Sequence, residues 1–422
     1  MNLPTKEQLI TIYGESEESR KRFAQLTERF QELYHHEQAA YFSAPGRTEI
    51  IGNHTDHNGG KVIAASIDLD TIGAAAVNGT NVVHITSEGY TREIVVDLRE
   101  LRTLMGHSGT EGLVAGMLEG VQKAGFAVSG FDAYVSTTVI PAAGVSSSAS
   151  FEMLVCSIVN ALFNDGGMTV TDYARVGQYA ENTYWKKDSG MMDQMACAVG
   201  GTVLFDFAQP GCPKYEKMDV SFQDFGYQLV IVNTGKGHAD LSDAYSGIPA
   251  EMKEAANVLG VSLLHETTLE DLLAKCGEIE NDRALLRSVH FFEENDRVEQ
   301  AAVCIRQHQG EALLELMQQS GHSSWELLQN CYDVRDCKEQ KVTRMLALTR
   351  LFLKKSGRGI CRVHGGGFAG VIMCVLPNEE AERYVGYIAK YVGRENVYPM
   401  NIRKAGAVQL VTQADRQNEC VN

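Results

Sequence analysis

An α+β chain of two domains is what this sequence predicts, and three observations carry that expectation. The spacing of apolar residues changes often between the alternation of a strand and the roughly 3.6-residue repeat of a helix, which neither an all-α nor an all-β chain would do. The 422 residues exceed what one hydrophobic core commonly supports. At residues 141–150, Pro-Ala-Ala-Gly-Val-Ser-Ser-Ser-Ala-Ser, a strand-like run passes into an amphipathic helix through small residues and hydroxyls.

From the N-terminus, Phe23, Leu26, Phe30 and Leu33 repeat at helical spacing and mark a first helix. Val82 to Thr86 and Ile94 to Asp97 read as the two arms of a hairpin, and the β-branched run from Phe131 to Ile140 as a strand. The next helix begins at the serines, because Phe151, Leu154, Val155, Ile158, Val159 and Leu162 recur with its period. Thr202 to Phe207 and Tyr227 to Asn233 read as strands. Between them, Gln209-Pro210-Gly211-Cys212-Pro213 is the densest turn chemistry in the chain, and the domain boundary is placed there, giving domains of 1–210 and 211–422. The second part opens with its strand, turns mainly helical and closes on strands at Gly370 to Leu376 and Ala407 to Val411. There is no internal repeat and no low-complexity segment.

Composition narrows the function classes. A formal charge of −16 opposes binding to nucleic acid or to an anionic membrane, since both rest on lysine and arginine neutralising phosphates. It leaves ATP open, because a nucleotide needs only a local cradle and a divalent cation. No apolar run approaches the roughly 20 residues that span a bilayer, and the N-terminus lacks the apolar core of a signal peptide, so a cytosolic address is expected. Ten cysteines without Cys-x-x-Cys pairs point to buried thiols in a reducing compartment, not to zinc or disulfides.

The strand-to-helix junction reads as a phosphate cradle. Free backbone N–H groups and the positive end of the helix dipole meet there, and the absence of bulky side chains lets an anion approach the main chain. There is no Gly-x-x-x-x-Gly-Lys-Ser/Thr, and a Ser-rich helix start in isolation also serves as an ordinary N-cap. Three further stretches accompany it: Ala-Pro-Gly-Arg-Thr-Glu-Ile-Ile-Gly-Asn-His-Thr-Asp-His-Asn-Gly-Gly at 44–60, Gly-Met-Met-Asp-Gln at 190–194, and Val-His-Gly-Gly-Gly-Phe-Ala-Gly at 363–370. In this order and spacing they resemble the sugar-kinase branch of the GHMP kinases, galactokinases most closely, from about Phe23 to the C-terminus.

The resemblance implies two α+β domains of the GHMP kinase fold with the active site in the cleft between them, and phosphorylation of the anomeric hydroxyl of galactose by ATP with Mg²⁺. Pro141, Ala142, Ala143, Gly144, Val145, Ser146, Ser147 and Ser148 would hold the nucleotide phosphates, and Ser148 with Glu181 the Mg²⁺, two hard oxygen ligands of the kind that ion prefers. Asp193 and Arg47 would be catalytic: a carboxylate on the anomeric hydroxyl, as base or as electrostatic organiser, and a guanidinium beside it. Asn53, His54, Asp56, Gly190, Asp193 and Tyr245 would bind the sugar, Tyr245 following His238 at the family's spacing. Outside this context Glu181 reads as a solvated helix residue, Arg47 as a surface ion pair, Asp193 as a helix cap and His54 as a structural histidine. The implied partners are the sugar and ATP, with neither nucleic acid nor membrane, and a monomer is expected.

Departures from the family pattern bear on the sugar. Galactokinases generally carry Glu before His-Thr-Asp-Tyr, where this chain has Asn53 and ends the motif in His57. A neutral amide facing C6 would remove repulsion against a C6 carboxylate, which makes a 1-kinase for galacturonate or another C6- or N-modified galactose the alternative. Ala142 and Ala369 stand where glycines are usual. A catalytically silent sugar sensor ranks last, since Ser146 to Ser148, Glu181, Asp193 and Arg47 are all present.

Overall fold

Two sheets of unequal size organise the computed structural model, which describes residues 3–14, 17–107, 109–141, 143–235, 242–368 and 370–412. Ala142, His238 and Ala369 lie outside the described residues. The first stretch of chain forms α1 (Lys6–Tyr13), α2 (Glu17–Tyr34), β1 (Ala40–Ile51), β2 (Lys61–Val77), β3 (Val82–Ser87), β4 (Ile94–Asp97), α3 (Thr110–Lys123) and β5 (Phe131–Thr137). Then come α4 (Ser147–Phe163), α5 (Val170–Thr183), α6 (Met192–Val199), β6 (Thr202–Asp206), β7 (Lys214–Met218) and β8 (Tyr227–Asn233). Helices follow: α7 (Ser242–Leu259), α8 (Leu269–Ala274), α9 (Asp282–Arg306), α10 (Gly310–Ser323) and α11 (Lys341–Ser356). The chain closes with β9 (Ile360–Val363), β10 (Val371–Pro377), α12 (Asn378–Val392), β11 (Val397–Met400) and β12 (Val408–Leu410).

The larger, eight-stranded sheet runs β12-β1-β2-β5-β3-β4, with β6 and β7 extending it from β2; the smaller runs β11-β8-β10-β9. The turn at 209–213 joins β6 to β7, which pair antiparallel from Asp206 opposite Lys214. The boundary expected at 210/211 therefore falls inside a hairpin of the larger sheet. The chain reaches the smaller sheet only at Tyr227, and β12 returns to pair with β1.

Three apolar layers hold these parts together. On the larger sheet, Val114 and Leu118 of α3, Leu154 and Ile158 of α4 and Val176 of α5 pack on Phe42, Ala75 and Val135. Leu346 and Phe352 of α11 and Ile388 of α12 cover Val230 and Cys374 of the smaller. A third cluster joins the two sheets: Ile51, Ile63 and Val145 meet Leu229, Val298, Met317 and Met373. Each such side chain contributes about 1.5–3 kcal/mol when fully buried, so this shared layer holds the two sheets together.

Several expected elements are found. The hairpin pairs Val82 with Asp97, β8 spans Tyr227–Asn233, and α4 starts within the serines. The strand read as Phe131 to Ile140 ends at Thr137. In α2 the buried side includes Phe23, Leu26, Thr27 and Phe30, whereas Leu33 is 43% exposed. Among the described residues no helix is long and apolar enough to cross a membrane, and the cysteines are free.

Candidate functional site

The segment expected to cradle phosphates lies against β1 and opens α4. α4 has no side-chain cap: Ser146 sits in the left-handed region with φ 58° and turns its hydroxyl elsewhere. The first-turn N–H groups of this 17-residue helix thus have no acceptor from the Ser146 side chain. Ala143 and Val145 are buried in the layer that joins the sheets, and Pro141 is exposed. The backbone N–H of Arg47 donates to the Val145 carbonyl at 3.1 Å, which fastens the cradle to β1.

The Ser146 hydroxyl donates to Asp193. Arg47 grips the same carboxylate as a fork, Nε to Oδ1 at 2.7 Å and Nη2 to Oδ2 at 2.9 Å, and its Nη1 donates to the Gly144 carbonyl. Arg47 is 5% exposed, so this is no surface pair. Asp193 lies within the first turn of α6, whose cap is Met191, so it is not a cap either. Burial pushes the Asp193 carboxyl up, but the Arg47 guanidinium and the Ser146 hydroxyl overcome it and hold Asp193 below the usual carboxylate range. The group is ionised at neutral pH and weakly basic.

Ser148 and Glu181 also meet: the hydroxyl donates to Glu181 Oε1 at 3.2 Å, and Lys187 Nζ donates to the same oxygen at 2.8 Å. Glu181 is 2% exposed, which removes the reading as a solvated helix residue. Among the described residues no group of three or more His, Cys, Asp or Glu side chains is placed to hold a metal. A serine hydroxyl and a buried carboxylate beside an open helix start nonetheless fit Mg²⁺, which takes few protein oxygens and completes its shell with water and phosphate. Behind them Glu152 accepts from Gln194 Nε2 at 3.1 Å, and burial together with Glu181 pushes its carboxyl well above the usual range.

Of the residues expected to bind the sugar, His54 holds φ 59° and pairs through Nε2 with the Gly366 carbonyl at 3.0 Å. A carbonyl only accepts, so the neutral ring carries its proton on Nε2 and leaves Nδ1 as an acceptor. Burial, with His57 beside it, pulls the His54 imidazole down to about 3. Tyr245 of α7 lies at 6.4 Å from the His54 ring, and burial pushes its phenol up to about 12. A Cβ at Gly366 would stand 1.7 Å from the Tyr245 ring, and one at Gly190 would stand 2.1 Å from Asp56 Oδ2. A side chain at Gly366 would collide with the Tyr245 ring, and one at Gly190 would displace the Asp56 carboxylate, so Gly190 and Asp56 lie face to face.

Asn53 is different. Its Nδ2 donates to both Glu49 oxygens, at 3.1 and 3.0 Å, and to the Gly365 carbonyl at 2.7 Å, while Oδ1 accepts from Asn330 at 2.8 Å. The side chain is fully buried with its hydrogen bonds spent inward, so it offers no free amide to C6. The galacturonate alternative rested on that amide, and on the absence of a carboxylate; Glu49 supplies one directly behind it.

Sequence reasoning missed this floor. Glu49 pairs with Arg362 at 2.6 Å, Arg362 Nη1 donates to the Ile50 carbonyl at 2.7 Å, and both side chains are buried. Burial leaves Glu49 above the usual carboxylate range even so. His364 accepts the Glu49 N–H at 3.3 Å, and burial drops its imidazole well below the ordinary value. Lys187, Gln194, Asn330, His290 and Glu294 were missed as well. Of these only Gln194 stood inside a motif already noticed; the others have no local signal.

Residues 28–77 match the galactokinase galactose-binding signature, and residues 112–201 the GHMP kinase N-terminal domain. A galactokinase of Clostridium tetani (strain Massachusetts / E88) is 26% identical over 365 residues, covering 85% of this chain and 90% of that protein. One of Lactococcus lactis subsp. lactis (strain IL1403) is 30% identical over 378 residues, covering 87% and 91%. The crystal structure of Lactococcus lactis galactokinase complexed with galactose aligns with a TM-score of 0.80 at 25% identity, over 92% of this chain and 99% of that one. Methanococcus jannaschii mevalonate kinase, at 15% identity and a TM-score of 0.62 over 88% and 99%, shares the fold. Two α+β domains with the cleft between them are the arrangement of the GHMP kinases. Identity of 30% sustained over 91% of a galactokinase goes further than a common fold, and this chain belongs to the galactokinase family.

Proposed function

We propose that the protein transfers the γ-phosphoryl group of ATP to the anomeric hydroxyl of galactose, giving α-galactose 1-phosphate. The carrying observation is that one carboxylate, Asp193, is held jointly by Arg47 of the sugar motif's strand and by Ser146 of the cradle. A hydroxyl resting on Asp193 therefore sits beside whatever the cradle holds. Phosphoryl transfer asks for little covalent help, and this juxtaposition supplies what it does ask for: positioning and charge.

In this reading the open turn of α4 and the main chain of Gly144 to Ser148 hold the phosphates. His54, Asp56, Gly190 and Tyr245 hold the sugar hydroxyls; the share of Asn53 is indirect, through the backbone it fixes. The anomeric oxygen forms its bond to the γ-phosphorus as the bond to the bridging oxygen breaks, ADP leaves, and the hydroxyl proton is released toward Asp193. Because Asp193 lies below the usual carboxylate range, its main work is to orient the hydroxyl, and Arg47 offsets the charge that develops. Ser148 and Glu181 would hold Mg²⁺, which when bound neutralises phosphate oxygens. One chain supplies every group named, so a monomer suffices, and a cytosolic address accords with the use of ATP.

The test is a panel of galactose, glucose, N-acetylgalactosamine and galacturonate with Mg-ATP, scored for ADP release and loss of the reducing end. Galactose should be consumed with equimolar ADP. Consumption of galacturonate in preference to galactose would overturn the reading.

A further inference from the structure

The backbone that presents the sugar motif takes an unusual path. Gly52 holds φ 110° and His54 φ 59°, both in the left-handed region, on either side of Asn53. Something must hold such a path against relaxation.

Two buried side chains of α9 meet it. Glu294 Oε1 accepts from Gly52 N–H at 3.0 Å and from Asn53 N–H at 3.2 Å. His290 Nε2 donates to the Asn53 carbonyl at 2.9 Å, and that carbonyl belongs to the peptide leading into His54. The two side chains lie four residues apart and so share one face of the helix. Both are completely buried, and each is itself held: Glu294 by Arg297 Nε at 2.8 Å and by the Ser320 hydroxyl, His290 Nδ1 by Ser323 Oγ at 2.8 Å. Three backbone polar groups of two successive residues are thus fixed by a helix more than 200 positions along the chain.

We propose that Glu294 and His290 are positioning residues for sugar binding: by fixing the Gly52–Asn53 backbone they aim the His54 ring and the Asp56 carboxylate at the substrate. Neither touches the sugar. Their effect passes through the motif, so it falls on the sugar's binding and not on the nucleotide's, whose cradle is tied to β1 at Arg47 and Val145 instead. The inference rests on the galactose reading above.

The test begins with wild type, whose phosphorylation of galactose must be established first; its failure would count against the functional reading. Glu294→Ala removes the acceptor for the two N–H groups, and His290→Ala removes the donor to Asn53. Each should raise the KM for galactose about tenfold or more while the KM for ATP stays within about twofold. Galactose Kd from calorimetry on the folded variants should rise in step. His290→Gln, which can again donate to the Asn53 carbonyl, should recover part of the loss. Arg306→Ala, at the far end of the same helix, cuts an exposed pair with Glu216 of β7 and should move neither KM. A role confined to stability would lower the active fraction and kcat with both KM values unchanged, and that result would overturn the proposal. Parallel rises in both KM values would overturn it too. If Glu294→Ala does not fold, the histidine pair alone decides.

Discussion

The proposed phosphate side and the proposed sugar side of the site are built on opposite plans. The phosphate side is local: Gly144 to Ser148 and the first turn of α4 follow one another in the chain and act through main chain and hydroxyls. The sugar side is assembled from distant parts: the 52–56 segment rests on Glu294 and His290 of α9, on Arg362 of β9 through Glu49, and on Gly366. One side leans on a helix start that any chain can make, the other on buried charges that are costly unless each keeps its partner. The sugar side should therefore be the more fragile in folding and the phosphate side the more forgiving.

The largest expected effect tests that contrast. Arg362→Ala strands the Glu49 carboxylate in the interior and should cost about 3–5 kcal/mol, read as a lower denaturant midpoint at unchanged slope. A loss under about 1 kcal/mol would mean the sugar side is not held by its charges. Asp193→Asn sits where the two sides meet: turnover should fall about 10²–10³-fold, with the KM for ATP little changed, because the cradle keeps its amides. Equal turnover would remove Asp193 from the mechanism.

Smaller effects separate the sides further. Ser148→Ala should raise the Mg²⁺ concentration for half-maximal rate about tenfold, leave the KM for galactose alone and cost little stability. If it shifts galactose instead, the local plan of the phosphate side is wrong. The smallest effect is one of pH. Burial holds His54 at about 3, far below its unfolded value, so the unfolded chain binds the extra proton first. Stability is complete above about pH 6.5 and falls as pH drops from there toward 3, by up to about 1.4 kcal/mol per unit from this residue. Denaturant midpoints at pH 7.5 and 5.5 should differ more in wild type than in His54→Asn; equal differences would place His54 in a wetter setting than the structure gives it.

What could be read from sequence follows the same division. The strand and helix that flank residues 141–150 were legible because a strand pattern, a run of small residues and a helical period succeed each other within residues 131–162, and the hairpin because its arms are neighbours. The two longest strands, β1 and β2, were not: β1 is buried along almost its whole length and carries Pro45 and Gly46, and β2 loses its short alternation at Ser66 to Asp70 in the Gly73-Ala-Ala-Ala run, so neither shows a sustained strand pattern. Leu33 kept the helical period but faces water, since period names a face and not its neighbour. Asn53 was read as facing the substrate because its position in the motif was visible and its partners were not. Asn330 stands 277 residues away and Gly365 stands 312. Glu294, His290 and Arg362 lacked any signal for the same reason: a buried charge is recognisable only beside its partner.

The central claim is that a hydroxyl held at Asp193 takes the phosphoryl group from the cradle, and product structure tests it most directly. Wild-type protein with Mg-ATP and galactose should yield one product whose phosphorus couples to the anomeric proton, with one ADP formed per sugar consumed. Phosphorus coupled to C6 or any other carbon, or ADP formed without loss of galactose, would contradict the account.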